Sequence, residues 1–130
     1  LHNNFIFNGH VTREEILNQY KYAKAAVFPS FAEAFALAPM EAMLTGLPTI
    51  YSDTCSGPEL ISDKNDGLLI NPESIESISS AIKYILKHPD EAMIMGQKGR
   101  NKIIRNFSKE IMTIQTLQFY NNVRTSNKNK

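Results

Sequence analysis

Glu33 and Glu41, with seven residues between them, are the side chains in this sequence best placed to do chemistry together. They flank what reads as the step from a strand to a helix. Ala25-Ala26-Val27-Phe28 is a short apolar run stopped by Pro29, as in a buried parallel strand where the chain must leave the sheet. Pro39 suits a first helical position, Gly46 is placed to end the helix and Pro48 forbids its continuation, so the spacing predicts a helix from near Ala38 to Thr45. On that placement the cap is Ala38, which has no side-chain oxygen for the free amides of the first turn. Replacing a good cap by alanine costs about 1 kcal/mol, so the bare end is best explained by an external anion seated on those amides. Glu41 then falls in the first turn and Glu33 in the loop, both at the carboxyl end of the strand, where open α/β sheets bind ligands. Carboxylates repel phosphates and suit hydroxyls. The pattern points to a ligand with phosphate on the amides and ribose and sugar hydroxyls on the acids, although Glu41 by itself could equally serve the positive end of the helix.

Other reactive side chains offer less. Cys55 has no histidine beside it in sequence and reads as inert, and Ser30 reads as a turn residue rather than a nucleophile. His2, His10 and His88 are scattered without metal-ligand spacing, and with one cysteine there is no disulfide and no cysteine-rich metal site, so no metal and no cofactor is expected. The glycines make neither a Gly-x-Gly-x-x-Gly turn nor a P-loop, which disfavours a dinucleotide oxidoreductase or an ordinary nucleotide hydrolase. Ser56-Gly57-Pro58-Glu59 is either a second lip of the ligand site or an ordinary loop with proline at a helix start.

The elements that must hold the pair can be read in order. Phe5-Ile6-Phe7, closed by Asn8-Gly9, reads as a strand next to the Ala25–Phe28 strand. Thr12 with Glu15 three residues on is a capping box, opening a helix to about Tyr22 whose apolar face is Ile16, Leu17 and Tyr20. Leu47 to Tyr51 is a third strand, and Leu68-Leu69-Ile70, after the Asp66-Gly67 turn, is a short fourth. Strands alternating with helices demand right-handed crossovers and a parallel sheet. Ile75, Ile78, Ile82 and Ile85, with Ala81 and Leu86 beside them, give a helix over Ser74 to Lys87. Asp90 is placed to cap the next helix, whose continuity Gly96 and Gly99 weaken, and Ser108 the last, whose Ile111, Ile114, Leu117 and Tyr120 stripe reads as packing.

A chain of 130 residues with 42% apolar residues can build one core. The net charge of +1 argues against a nucleic-acid partner, and the stretch at 125–130 reads as a polar, basic tail. No run approaches a membrane span and no signal peptide opens the chain, consistent with a cytoplasmic location. Leu1 is not an initiator methionine, which suggests a piece of a longer protein. Between Lys24 and Lys64 there is no Lys, Arg or His, while Glu33, Glu41, Asp53, Glu59 and Asp63 all fall there. Any phosphate must rely on amides and a helix dipole.

Glu33, seven residues and Glu41, followed by Ala42-Met43, Gly46 and Pro48, resembles the Glu-x7-Glu signature of the retaining glycosyltransferases of family 4, in the GT-B fold. Phe28-Pro29-Ser30 before it, and Ser56-Gly57-Pro58-Glu59-Leu60-Ile61 and Asp66-Gly67-Leu68-Leu69-Ile70 after it, agree. The resemblance covers the second half of the C-terminal, donor-binding domain and implies a Rossmann-like, three-layer α/β parallel sheet with flanking helices over residues 1–124. It implies that Glu33 is the catalytic residue, touching the donor sugar hydroxyls, and that Glu41 holds the ribose. Ser30 and the amides around Phe35, Ala36 and Leu37 would complete the donor site, although the family often has glycine where this chain has Ala34 and Ala36. The implied activity is metal-independent hexosyl transfer from a nucleotide sugar to a saccharide or lipid acceptor bound by an N-terminal domain. The isolated chain, lacking that domain and the upstream bases that neutralise the diphosphate, would be inactive. Such an enzyme works in the cytoplasm, with room for peripheral association at the inner face of the membrane, and its oligomeric state is not implied. The alternative is a non-catalytic α/β ligand- or partner-binding module such as a receiver-like domain.

Overall fold

The computed structural model describes residues 4–35 and 37–126. Three short parallel strands, β1 (Ala26–Phe28), β2 (Thr49–Ser52) and β3 (Leu68–Ile70), lie in the order β1-β2-β3. Their register pairs Phe28 with Tyr51 and Ser52 with Ile70, so the three strands end nearly level. The parallel α/β architecture expected from the sequence is present. Successive β2 residues point to opposite faces, and both faces are covered. Tyr51 packs with Met43, Leu60, Ile61 and Ile103, whereas Ile50 packs with Leu68, Ile70, Ile85, Ala92 and Met95.

Helix α1 (Arg13–Tyr20) starts with the expected capping box. Thr12 Oγ1 accepts from the Glu15 amide at 3.3 Å, and the Glu15 carboxylate accepts from the Thr12 amide at 2.7 Å. Helix α2 (Leu37–Leu44) follows β1 and ends at Gly46, whose φ of +82° is a left-handed C-terminal turn that glycine adopts without strain. Helix α3 (Gly57–Leu60) is short, and Ser74 caps α4 (Ile75–Lys87) by accepting from the Ser77 amide at 3.1 Å. Helices α5 (Pro89–Asn106) and α6 (Lys109–Ser126) complete the chain.

Helix α5 is continuous through both glycines, because they are where it touches its neighbours. A Cβ on Gly96 would lie 2.0 Å from the Gly46 carbonyl oxygen, so the loss of helix propensity is offset by close approach of α5 to the end of α2. Its cap differs from the expected Asp90. Pro89 opens the helix, where its missing N–H costs nothing, and Asp90 lies inside the first turn, on the favourable side of the dipole.

Four further expectations need correction. Phe5-Ile6-Phe7 forms no strand and Phe7 is 92% exposed. Its place would be the outer edge of β1, where α1 buries none of its residues, so pairing would gain a few ladder bonds against about 1–2 kcal/mol of ordering entropy per residue. The α6 stripe does not pack: Ile114, Leu117 and Tyr120 are exposed and Ile111 is half-buried. The other helices already cover both faces of the sheet, so no apolar surface is left for it. In α4, Ile75 and Leu86 also face water, and Ile78, Ala81, Ile82 and Ile85 carry the packing. Residues 125 and 126, expected in the tail, end α6.

Candidate functional site

The carboxyl end of β2 is tied to those of β1 and β3 before their loops diverge. Ser52 Oγ donates to the Phe28 carbonyl at 3.3 Å, and the Asp53 amide donates to the Ile70 carbonyl at 2.8 Å. Below them Tyr51, fully buried, shares a 3.1 Å hydrogen bond with the Ser56 hydroxyl. This fixes the start of α3, where Gly57 is obligatory: a Cβ there would stand 1.7 Å from the Ser52 carbonyl oxygen.

Glu33 lies in the loop after β1, at the carboxyl end of the sheet, with its side chain exposed. Among the described residues its carboxylate has no hydrogen-bond or ion-pair partner. Its amide donates to Cys55 Sγ at 3.4 Å, and the Cys55 thiol donates to the Phe31 carbonyl at 3.8 Å. Cys55 thus bridges the β2–α3 loop to the loop carrying Glu33, from a backbone φ of +54°. Sulfur makes weak hydrogen bonds, but two of them across facing loops give this side chain a positioning task. The sequence marked it only as inert.

Helix α2 begins one residue earlier than expected, at Leu37, so Ala38 is not its cap and Pro39 is its third residue. A proline is tolerated there because none of the first four helical amides has an intrahelical acceptor. Ala36, which precedes the helix, lies outside the described residues. The same shift places Glu41 fifth in the helix, in its second turn. Leu37 is 67% exposed at the start of α2 and Ser30 is half-buried. The Phe35 ring lies tilted at 40° to that of Phe107, with centroids 5.8 Å apart, and stays 40% exposed.

Glu41 has a partner that no local pattern announced. Arg13, the first residue of α1, donates from Nε to Glu41 Oε1 at 2.9 Å, with the Arg13 side chain 74% and the Glu41 side chain 30% exposed. At the other end of α1, Tyr20 packs on Ala26, Ala42 and Leu47. Burial, and secondarily the charge of Glu41, hold its phenol above the usual tyrosine range. The only sequence signal for Arg13 was negative, namely the want of any base from residue 25 to residue 63.

Hollows of about 500, 440 and 180 Å³ lie elsewhere, at the start of β2, beside β3 and α4, and between α4 and α5, and none is lined by Glu33 or Glu41. The two acids sit on an open shelf. Among the described residues no group of three or more His, Cys, Asp or Glu could hold a metal, and no helix is long and apolar enough to cross a membrane.

Comparison with known proteins finds relatives over most of this chain. Sucrose-phosphate synthase from Thermosynechococcus elongatus superposes with a TM-score of 0.84 at 29% identity, over 95% of this chain and 31% of that one. The O-antigen chain mannosyltransferase B of Escherichia coli is 34% identical over 112 residues, 86% of this chain and 29% of its own length. A glycogen synthase of Mycobacterium tuberculosis is 27% identical over 114 residues, 88% of this chain and 28% of its own length. The chain therefore spans under a third of the length of these three relatives, and its α/β fold, a parallel sheet with flanking helices, matches part of GT-B glycosyltransferases, as expected from the sequence. The receiver-like alternative is left without support. The family described as glycosyl transferases group 1 matches residues 1–102, and the chain belongs to that family.

Proposed function

We propose that this chain is the donor-binding part of a retaining, metal-independent glycosyltransferase that moves a hexosyl group from a nucleotide sugar to a saccharide or lipid acceptor. The observation that carries the reading is the arrangement of Glu33 and Glu41 about the amino end of α2, on the shelf where three parallel strands end level. The first-turn amides of α2, including those of Leu37 and Ala38, offer donors and a positive dipole end to a diphosphate. Glu41, a turn further on, is set back from that charge and accepts from ribose hydroxyls. Glu33, free of ion pairs among the described residues, is available to the sugar hydroxyls. Fixed donors at the amino end of α2 stabilise the diphosphate as it leaves, which is where a transferase of this kind gains rate.

The relatives named for mannosyl transfer and sucrose-phosphate synthesis handle hexoses, which supports the hexosyl assignment. The rest of the enzyme, including its acceptor domain, belongs to sequence beyond residues 1–130, and the location assigned is cytoplasmic, at or near the inner membrane face. The test uses the natural full-length polypeptide with a panel of nucleotide sugars. Glu41→Ala should weaken nucleoside diphosphate binding by about 1–3 kcal/mol, as for a buried polar group left unpaired. Glu33→Ala should lower kcat with donor binding retained. Equal and negligible effects of the two changes would refute the assignment.

A further inference from the structure

Resting on the reading of Glu41 as the ribose ligand, we infer that Arg13 is a nucleoside-recognition residue, whose guanidinium, held edge-on by Glu41, is the platform for the base of the donor. Three observations carry this. The first is the pair itself: Nε is engaged with Oε1 at 2.9 Å, which pins one edge of a planar group whose side chain remains 74% exposed. Such an exposed pair adds little to stability, so what it does is fix the direction of a flat, cationic surface. The capping box at Thr12 and Glu15 fixes the backbone from which Arg13 projects.

The second observation is order along the shelf. Glu33 is tied by its amide to Cys55 of the β2–α3 loop, on the β2 side. Arg13 comes from α1, which packs through Tyr20 against Ala26 of β1, the outer strand. In the chain α2 follows the loop that carries Glu33, and its fifth residue, Glu41, is the one that meets Arg13. A nucleotide sugar laid along this line puts hexose at Glu33, diphosphate at the α2 amides, ribose at Glu41 and base at Arg13, the order of its own covalent connections. The third observation is chemical. A guanidinium stacks on planar π-systems and is weakly hydrated, so it gives up little water on being covered by a base. A lysine at the same place would supply charge without a face.

The test again uses the natural full-length polypeptide, with nucleoside diphosphates and, as a base-free probe of the diphosphate seat, inorganic pyrophosphate. Arg13→Ala and Arg13→Lys should each raise the Kd for the preferred nucleoside diphosphate roughly 5- to 150-fold, the range given by truncating a stacking side chain. Pyrophosphate binding should stay within about twofold and the melting temperature within about 2 °C, since the pair is exposed. Full rescue by lysine, an equal loss of pyrophosphate binding, or no change in either variant would overturn the platform. If Glu41→Ala weakens binding and Arg13→Ala does not, the donor reading stands and this inference alone fails. If the wild-type protein binds no nucleoside diphosphate, the donor reading fails and the platform with it.

Discussion

Gly96→Ala puts the packing that carries Glu41 under direct test, because two opposing effects act at one atom. In a helix interior alanine is better than glycine by about 0.8–1.0 kcal/mol, so propensity alone predicts stabilisation of α5. The structure predicts the reverse. The new Cβ would lie 2.0 Å from the Gly46 carbonyl oxygen and 3.2 Å from the Pro48 nitrogen, both backbone atoms. Gly46 sits at φ +82° to close α2, so its carbonyl cannot swing away without undoing that turn. Helix α5 must therefore retreat by about 1 Å before the contact reaches even 3.0 Å. That movement pulls Ala92 and Met95 from one core cluster and Ile103 from the other. Overpacking costs about 1–3 kcal/mol, and with rigid obstacles and two clusters disturbed the upper end applies, leaving a net loss of about 2 kcal/mol. With a urea dependence of about 2 kcal/mol per molar, the unfolding midpoint should fall by about 1 M. The assay is urea denaturation followed by circular dichroism, with Lys83→Ala on the exposed face of α4 as a control. An unchanged or raised midpoint for Gly96→Ala would refute the claim that this helix contact is set by atomic approach rather than by propensity.

Two further outcomes follow from the helix ends. Ser74→Ala removes the side-chain acceptor of the Ser77 amide at the start of α4 and should cost about 1 kcal/mol, read as a fall of about 3–5 °C in Tm. The Glu15 carboxyl is held below its ordinary value of 4.5 by the Thr12 amide and then the Thr12 hydroxyl. Its contribution to stability is therefore present above that ordinary value and lost as pH falls through the lower folded value. The difference in Tm between wild type and Glu15→Gln should accordingly shrink on acidification below 4.5, and a difference independent of pH would contradict the capping-box account.

Most of the fold was legible because local signals and burial agreed. The runs read as strands at Ala25–Phe28, Leu47–Tyr51 and Leu68–Ile70 are strands, the second shifted towards Ser52. The Thr12 box and the Ser74 cap combine side-chain chemistry with spacing, and both form as read. The two misread apolar patterns share one cause. Phe5-Ile6-Phe7 and the Ile114, Leu117 and Tyr120 stripe are apolar patterns whose burial depends on surface offered by something else. In this chain other helices cover both faces of the sheet, and α1, beside β1, has no buried residue against which a further strand could pack. Periodicity states which face of an element prefers burial. It does not state whether a partner is available.

The site divides along the same line. The placement of Glu33 and Glu41 was legible because it depends on short-range order: a strand end, a loop and a helix, all within one stretch of chain. The groups that contact them are not short-range. Arg13 reaches Glu41 across 28 residues and Cys55 reaches the Glu33 amide across 22, and neither stands in a motif that names its target. A parallel sheet makes this inevitable, because each crossover returns the chain to the same end and stacks loops from distant sequence side by side. The acidic interval between Lys24 and Lys64 was a true reading of the sequence and an incomplete account of the field. Once α1 docks beside β1 through Tyr20, its first residue brings a cation to Glu41, and the charge balance of the shelf becomes a property of the tertiary structure.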